Sequence, residues 1–413
     1  MEKIAFIFSG QGSQYVGMGE TFYRDFEIVR QTYEEASDVS GYNIAELCFQ
    51  GTVLEQNQID KMQFIVVTTG VAIARAFSYK YGITPQFCAG HSVGEYAALV
   101  CSGAVKFSDA IKILKVRGEL LKDALTSELG QMSIVEKISR TMAEEIISKN
   151  RELQGYISCY NSSDQFAISG SNLEPIEEEF LIENARVTPI INSPPIHCPL
   201  MDKYMKEFYD YLCRFMFYSF RIPVVSNVTG APFSEPEKLP LIMSEQLIKP
   251  VQWVKTMMSF EKYGISMVVE MGPKNLLTAF FKDIDFEMKR YCFGVKSDRE
   301  EIDKLFLSDA SLQKDRVEFL GRCLGIAVST QNLNDNVEEY QSGVTDNYNY
   351  IQSLVSKTKE SDRSATVEEM HQALQCVIGI MQTKKVPENE QQDWLKQLLD
   401  ETCTYYLLKD YVK

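Results

Sequence analysis

The sequence lacks the cysteine patterns of disulfide-rich and zinc-binding proteins. Its 10 cysteines are scattered singly, with no CxxC pair and no Cys/His cluster of zinc-ligand spacing. We therefore expect reduced core cysteines and no metal site. Histidine is scarce as well, with 3 in the chain, so chemistry that needs an imidazole has few candidates.

Long hydrophobic runs and an excess of positive charge are also missing. The longest apolar candidate, Phe64 to Phe77, is interrupted by Thr68, Thr69 and Arg75, so we interpret it as a buried helix and not a membrane span. The N-terminus has no cationic start followed by a long apolar run, which predicts a cytoplasmic protein. A net charge of -15 argues against nucleic acid or an anionic membrane surface as the main partner.

The N-terminal part of the sequence alternates between strand-like and helix-like segments. Such alternation is typical of a mainly parallel sheet with helices on both faces. The predicted segments are strand Ile4–Phe8, a helix from about Glu20 to Val39, a helix from Phe64 to Tyr81, and strands near Gln86–Ala89, Pro223–Asn227 and Met267–Glu270. We assign residues 1–128 and 197–297 to this large α/β subdomain, with a hydrolase-like parallel core.

A compact unit interrupts the large subdomain over residues 129–196. Its segments follow the order β-α-β-β-α-β, which is the signature of a ferredoxin-like fold. The segments begin at Gln131, Thr141, Gly155, Phe166, Leu173 and Val187. We therefore expect an inserted ferredoxin-like subdomain.

Residues 298–413 lose the strand pattern and are predicted to form a helical appendage. Apolar residues recur at helical spacing from Val317 to Val328 and from Val337 to Val355. Thr366 with Glu369 forms a capping box, and Pro387 stands where a helix start tolerates proline. The apolar stripes of these helices, including Trp394, Leu398 and Tyr405, must be buried against each other, the catalytic body or another protein.

The strongest chemical signal is the GxSxG motif Gly90-His91-Ser92-Val93-Gly94. It follows a short strand and precedes a helical segment, the setting in which a serine stands on a sharp turn with its hydroxyl exposed. A bare GxSxG is also common as an ordinary glycine turn. Its setting makes Ser92 the candidate nucleophile.

A serine nucleophile needs a base, and His197 is the candidate. His91 adjoins the serine on a tight turn and should point elsewhere, and His371 lies in the helical appendage. A lone histidine at a loop end is commonly structural, but the scarcity of histidine favours His197 here.

Two further features have both a structural and a catalytic interpretation. The loop from Ser9 to Gln14 is glycine-rich but lacks the lysine of a phosphate loop, so we expect a tight turn whose backbone N–H faces Ser92. That N–H and the Val93 N–H would form an oxyanion hole. Arg117, in KVRGELL, is by default a surface charge on an amphipathic helix.

In combination, these motifs resemble a known family. Eight segments occur in the order found in malonyl-CoA:acyl carrier protein transacylases. They are FSGQGSQYVGMG, AGHSVGEYAALVCSGAV, KVRG, NSSDQFAISG, SPPIHCPLM, PVVSNVTG, PVQW and EMGP. The chain especially resembles the discrete, trans-acting acyltransferases of polyketide assembly lines. The resemblance covers about Met1 to Val295, and the helical appendage lies outside it.

The resemblance implies roles for particular residues. Ser92 is similar to the acylated serine, His197 to its base, and Arg117 to the arginine that binds the malonyl carboxylate. The other residues carried over by the resemblance are Gln11 and Val93 for the oxyanion hole, Gln246 as the carbonyl that orients the histidine, and Asn161 and Gln165 near the pantetheine arm. Ile196 and Lys249 depart from the family pattern, which leaves the preference between malonyl and substituted malonyl groups open.

The implied reaction is a ping-pong transfer from malonyl-CoA to an acyl carrier protein, without a metal or redox cofactor. Two alternatives remain. One is a proofreading acyl hydrolase of the same fold, although such an enzyme gains nothing from a buried cation. The other is a non-catalytic docking protein whose working part is the appendage.

Overall fold

The computed structural model describes residues 3–283, 287–307, 309–361, 363, 365–402 and 404–408. Side chains are described for these residues except 282–283, 309–318, 400 and 405–406. The chain folds into two compact units, one made of Met1–Ala76 with Pro85–Arg299 and the other of Phe77–Thr84 with Glu300–Lys413.

All the described strands belong to the first unit and form two sheets. The strands are β1 Ile4–Phe8, β2 Phe87–Gly90, β3 Gln131–Glu136, β4 Gly155–Tyr160, β5 Gln165–Gly170, β6 Arg186–Pro189, β7 Val224–Val225, β8 Met267–Glu270 and β9 Lys289–Cys292. The larger sheet has the order β7-β2-β1-β8-β9, and its pairs are all parallel. β1 at its centre is buried along its whole length, as expected for a strand covered on both faces.

The smaller sheet is antiparallel, with the order β4-β5-β3-β6. Counted within the insertion, this is strand order 2-3-1-4, the arrangement of a split β-α-β fold. Its core gathers apolar residues of the sheet and its two helices, among them Val135, Ile146, Phe166 and Phe180. The predicted fold class, a parallel α/β core with a ferredoxin-like insertion and a helical C-terminal region, is confirmed.

Helices cover the larger sheet, flank the smaller one and build the second unit. Up to residue 299 they are α1 Glu20–Asp25, α2 Glu27–Ser40, α3 Ile44–Phe49, α4 Val53–Gln56, α5 Ile59–Tyr81, α6 Gly94–Cys101, α7 Phe107–Thr126, α8 Arg140–Lys149, α9 Glu174–Ile182, α10 Asp202–Leu212, α11 Leu239–Glu245 and α12 Trp253–Lys262. The remaining helices are α13 Lys296–Leu307, α14 Asp309–Ser329, α15 Val337–Tyr340, α16 Asp346–Glu360, α17 Val367–Thr383, α18 Glu388–Glu401 and α19 Tyr405–Leu408.

Two of the predicted helices have different limits. The single helix predicted from Glu20 to Val39 is wrong, because Phe26 is extended and separates α1 from α2. The helix predicted from Phe64 begins five residues earlier, at Ile59. In the described part of the chain, α5 is the helix long and apolar enough to cross a membrane, but most of it is buried in the fold, so its interpretation as a core helix is confirmed.

The second unit has a hydrophobic core of its own, to which α14, α16, α17 and α18 contribute. The capping box predicted at Thr366 and Glu369 is present at the start of α17. Two positions of the apolar stripes are not buried within the described structure, since Val328 is 68% exposed and Val337 is 80% exposed. Leu398 is buried and Trp394 packs against the core, while the side chains of Val317 and Tyr405 lie outside the described ones.

Candidate active site

The GxSxG motif forms a sharp turn between β2 and α6, as predicted. Ser92 has a φ of 52°, in the left-handed region that is costly for residues other than glycine. The turn is possible because glycine occupies both ends of the motif: a Cβ on Gly94 would collide with the carbonyl oxygen of Phe8, and one on Gly90 with the backbone of Gly94. The strain is therefore built into the position of the candidate nucleophile.

His197 lies against the serine. Its Nε2 is 2.7 Å from Ser92 Oγ, and its Nδ1 is 2.6 Å from the main-chain carbonyl oxygen of Gln246. Because a carbonyl only accepts, Nδ1 carries the proton and Nε2 presents a lone pair to the hydroxyl. Ser92 is 8% exposed and His197 is 1% exposed, so the pair is almost completely removed from water.

The environment of His197 keeps its imidazole neutral. Burial, and then the positive charge of Arg117, lower the pKa of His197 to about 3, while the hydrogen bond to Gln246 opposes the shift. At neutral pH the ring is therefore unprotonated at Nε2 and able to accept a proton. A Ser–His pair held in this way can perform nucleophilic catalysis on an acyl group.

His91 points away from the nucleophile, as expected. Its Nε2 lies 2.8 Å from Asn161 Oδ1, and the Asn161 amide donates to Gln165 Oε1 at 3.2 Å. The chain of hydrogen bonds continues from Gln165 Nε2 to Glu136 Oε1 at 2.8 Å. The structure thus brings Asn161, but not Gln165, into direct contact with the GxSxG motif.

The two residues predicted for the oxyanion hole have unengaged backbone N–H groups. Within the described residues, neither Gln11 nor Val93 donates its main-chain N–H to another protein group. The loop that carries Gln11 approaches the serine turn so closely that a Cβ on Gly10 would lie 2.5 Å from the His91 carbonyl oxygen. Donors without internal partners beside a nucleophile are suited to stabilising a developing oxyanion.

Arg117 is not a surface residue. It is 1% exposed, donates from one terminal nitrogen to Gln63 Oε1 and from the other to Gln246 Oε1 at 3.4 Å, and its Nε has no hydrogen-bond partner among the described residues. Its guanidinium carbon lies 5.7 Å from the centre of the Tyr96 ring. None of the ion pairs found in the described part of the chain includes Arg117. Burial lowers its pKa, and Tyr96 and Glu95 oppose that shift. A buried cation in this state favours an anionic ligand.

Two residues of the site were not singled out by sequence reasoning. Asn227 accepts a hydrogen bond from Ser92 N–H at 2.6 Å and donates to the Gly90 carbonyl oxygen. Glu95 is buried and accepts from Asn227 N–H at 2.7 Å and from Gln246 Nε2 at 2.5 Å. Both residues stand inside conspicuous motifs, PVVSNVTG and GHSVGE, but neither motif indicates which partners they meet.

The two departures from the family pattern have different surroundings. Ile196, beside the candidate base, is buried, and its carbonyl oxygen accepts from Ser169 Oγ at 2.9 Å. Lys249 is exposed and forms an ion pair with Glu245 at 2.7 Å. A cleft of about 600 Å³ reaches His197, lined by residues of α8 and β4 and by Ile248 and Pro250.

The sequence and the fold are similar to those of acyltransferases. The acyl transferase domain family matches residues 5–303. The solved structure of the malonyl CoA-acyl carrier protein transacylase from Coxiella burnetii is 31% identical with a TM-score of 0.70, over 74% of this chain and 98% of that chain. A malonyl-transacylase solved in complex with its type II polyketide synthase acyl-carrier protein is 30% identical with a TM-score of 0.69, over 72% and 97% of the two chains.

A further relative corrects one expectation from the sequence. A malonyl CoA-acyl carrier protein transacylase of Bacillus subtilis is 29% identical over 403 residues, which are 96% of this chain and all of that protein. Because the family match ends at residue 303, this similarity must extend through most of the helical region. The expectation that the appendage lies outside the resemblance altogether is therefore wrong.

Proposed function

Because the chain belongs to the acyl transferase family, we propose that it transfers a malonyl group from malonyl-CoA to the phosphopantetheine thiol of an acyl carrier protein. It is an acyl-carrier-protein S-malonyltransferase, working through an acyl-serine intermediate. The observation that carries the proposal is the juxtaposition of a neutral Ser92–His197 pair with the buried guanidinium of Arg117.

In the first half reaction His197 Nε2 accepts the Ser92 proton as Oγ attacks the thioester carbonyl. The tetrahedral oxyanion receives hydrogen bonds from the N–H groups of Val93 and Gln11. The carbon–sulfur bond then breaks, and His197 returns its proton to the departing coenzyme A thiolate. The Gln246 carbonyl stabilises the transient imidazolium by accepting from Nδ1.

The second half reaction repeats these steps with the carrier thiol as nucleophile. His197 accepts the thiol proton, sulfur attacks the malonyl ester, and Ser92 leaves with the proton that His197 donates. Both steps use the same oxyanion hole. The chemistry needs no metal or redox cofactor, and malonyl-CoA enters as a substrate.

Arg117 supplies the selectivity for a carboxylated acyl group. Its guanidinium donates to the side chain of Gln246. Gln246 in turn contacts His197 through its main-chain oxygen and Ser92 through its side-chain nitrogen. A carboxylate bound there would satisfy the Nε donor and neutralise a charge that burial makes costly. Asn161, and Gln165 bound to it, are proposed to face the pantetheine arm of the substrate.

Two observations argue against the alternative functions. A proofreading hydrolase of neutral acyl chains has no use for a buried arginine, and removing its hydration without a partner is unfavourable. A docking protein without catalysis would not need Ser92 held in a strained conformation within 2.7 Å of His197.

We place the reaction in polyketide biosynthesis and in the cytoplasm. Support for the pathway comes from the resemblance to trans-acting acyltransferases and from the similarity to a transacylase solved with a polyketide synthase carrier. Fatty acid biosynthesis is the competing assignment. Incubation with purified carriers of both kinds separates the two, because the cognate carrier should be loaded with the higher kcat/KM.

Mass spectrometry of the intact protein tests the chemistry directly. After mixing with malonyl-CoA, the wild type should gain one malonyl group, and Ser92→Ala should gain none because it lacks the hydroxyl that lies against His197 Nε2. His197→Ala should slow acylation by a factor of about 10² to 10⁴, the usual contribution of a general base. Undiminished labelling of Ser92→Ala would remove the acyl-serine intermediate from the proposal.

A further inference from the structure

Glu95 is a carboxylate inside the protein that the proposed mechanism does not use. It stands in the first turn of α6, three residues after Ser92, with 1% of its surface exposed. Acidic residues in the first turn of a helix are usually solvated and interact with the helix dipole. A buried carboxylate persists only where donors satisfy it, so the partners of Glu95 indicate its role.

The first oxygen of Glu95 fixes the loop that holds the nucleophile turn. Oε1 accepts from the main-chain N–H of Asn227 at 2.7 Å. The side chain of Asn227 then accepts from Ser92 N–H and donates to the Gly90 carbonyl oxygen. Because Ser92 is in a strained left-handed conformation, these contacts at Ser92 and two residues before it help to keep the turn closed.

The second oxygen fixes the residue that orients the base. Oε2 accepts from Gln246 Nε2 at 2.5 Å, and the same amide nitrogen donates to the Ser92 carbonyl oxygen at 3.2 Å. The main-chain oxygen of Gln246 receives the hydrogen bond from His197 Nδ1. Glu95 is therefore one residue removed from both members of the catalytic pair.

The orientation of the Gln246 amide follows from its neighbours. Its oxygen faces Arg117, which can only donate, and its nitrogen faces Glu95. Burial raises the pKa of Glu95 to about 7, against the hydrogen bonds from Asn227 and Gln246 and the charge of Arg117, so above neutral pH Glu95 is a carboxylate that can only accept. An uncharged amide thus bridges a buried cation and a buried anion. This arrangement holds the Gln246 side chain in a single orientation.

We propose that Glu95 is a positioning residue for the transfer reaction: its two carboxylate oxygens hold Asn227 and Gln246 so that Ser92 and His197 stay in reacting geometry. The inference rests on the proposed acyl-serine chemistry. A carboxylate is required, since an amide at this position has one acceptor and one donor group. It would satisfy one of the two donors and oppose the other.

The test uses Glu95→Gln in the full-length protein, read out by the rate at which a fluorophosphonate probe labels Ser92. Single-turnover acylation by malonyl-CoA is measured beside it. Both rate constants should fall by about 100-fold, the effect of a small misplacement of reacting groups. The malonyl-CoA concentration for half-maximal rate should change less than the rate constants, because the proposed action of Glu95 passes through Asn227 and Gln246. An unchanged labelling rate would overturn the proposal.

Glu270→Gln is the matched control. Glu270 is also a buried carboxylate satisfied by several donors, but they come from Leu277 and Thr278 and not from the catalytic residues. It should keep its labelling rate to within a few-fold even if its melting temperature falls. Equal losses of rate in the two variants would mean that Glu95 acts through general stability, and would overturn the positioning role.

A double-mutant cycle with Gln246→Ala tests the path of the effect. This substitution keeps the main-chain carbonyl that binds His197 and removes the side chain that Glu95 holds. Glu95→Gln should then slow labelling less than it does in the wild type, because residues that share an interaction are not additive. Strictly additive losses would contradict the proposed route through Gln246.

A second variant and the choice of probe keep the test of Glu95 decisive. Should Glu95→Gln fail to fold, Glu95→Asp replaces it: this variant preserves the charge but withdraws both oxygens by one methylene, so a wild-type labelling rate would again overturn the inference. The fluorophosphonate reacts with an activated serine whether or not malonyl-CoA is a substrate. If the wild type accepts the probe but no malonyl group, the proposed function fails while the role of Glu95 can still be read.

Discussion

At the scale of single residues, Arg117 is proposed to decide which acyl group is accepted. Arg117→Ala should lower the ratio of kcat/KM for malonyl-CoA to that for acetyl-CoA by about 10- to 100-fold, since a hydrogen-bonded charge is worth roughly 1.5–3 kcal/mol. Arg75→Ala is the control, because Arg75 is partly exposed and bonds Thr32 and Glu35 away from the site. An unchanged ratio in Arg117→Ala would favour the hydrolase alternative.

The charge of Arg117 also acts on the base. It is the second cause, after burial, of the lowered pKa of His197, so its removal should raise that pKa. In Arg117→Ala the labelling of Ser92 by a fluorophosphonate should therefore begin to fall at a higher pH on acidification than in the wild type. If the labelling rate falls at the same pH in the two proteins, the charge of Arg117 does not affect the imidazole.

Glu270 should make stability depend on pH. Burial raises its pKa from 4.5 to about 7, against the hydrogen bonds from Leu277 and Thr278, which lower it. The folded state thus prefers the protonated form, so this contribution to stability is complete below pH 4.5 and is lost as pH rises to about 7. The loss is about 3 kcal/mol at most.

The measurement is the melting temperature of the first unit between pH 5 and pH 8, in the wild type and in Glu270→Gln. The variant is neutral throughout, so it should gain stability relative to the wild type as pH rises. A constant difference between the two melting temperatures across this range would show that Glu270 keeps an ordinary pKa.

At the scale of elements, the turn between β2 and α6 tolerates no side chain at its glycines. Gly94→Ala should reduce both the melting temperature and the labelling of Ser92, because the new methyl group would collide with the Phe8 carbonyl oxygen. Gly321→Ala in α14 is the contrasting case: a Cβ there meets no atom within 4 Å, and alanine favours a helix by about 1 kcal/mol. The two changes should shift stability in opposite directions.

At the scale of the whole molecule, the C-terminal helices have either a covering or a docking role. The second unit includes Phe77–Thr84 from the end of α5, where Tyr81 donates to Asp303 at 2.6 Å and its ring is tilted against that of Phe306, with the centroids 5.6 Å apart. Lys80 forms an ion pair with the same Asp303 at 2.5 Å. Within the second unit, residues of α13 therefore hold the last turn of α5, so we expect their loss to weaken this helix, as the covering role requires.

Two truncations separate the roles. Ending the chain after Arg299 removes Asp303 and Phe306, and should lower the melting temperature by several degrees or make the protein insoluble. Ending it after Leu307 keeps both and should be milder. Under the docking alternative both truncated proteins would still acylate themselves from malonyl-CoA but would load the cognate carrier poorly. Loss of acylation in a folded truncation would contradict both roles.

The sequence by itself determined the local features of this protein. Strands such as Ile4–Phe8 and Met267–Glu270, the order of the inserted subdomain and the capping box at Thr366 depend on periodicity and on neighbouring residues, which a sequence displays. The break at Phe26 escaped prediction because the apolar pattern continues through it.

Only the tertiary structure decided which side chains contact each other in the candidate site. Ser92 and His197 are 105 positions apart, and their contact could be inferred because few histidines exist. Asn227 and Glu95 are 132 positions apart. Both are common residue types, so the sequence offered no reason to pair these two. Arg117 falls at the helical spacing of the buried face of α7, between Leu114 and Leu121, but its charge favoured a surface position. What the fold packs against that helix decides that it is buried. Hydrogen-bond partners distant in sequence are fixed by the way sheets and helices stack, because that packing sets which side chains lose water and meet.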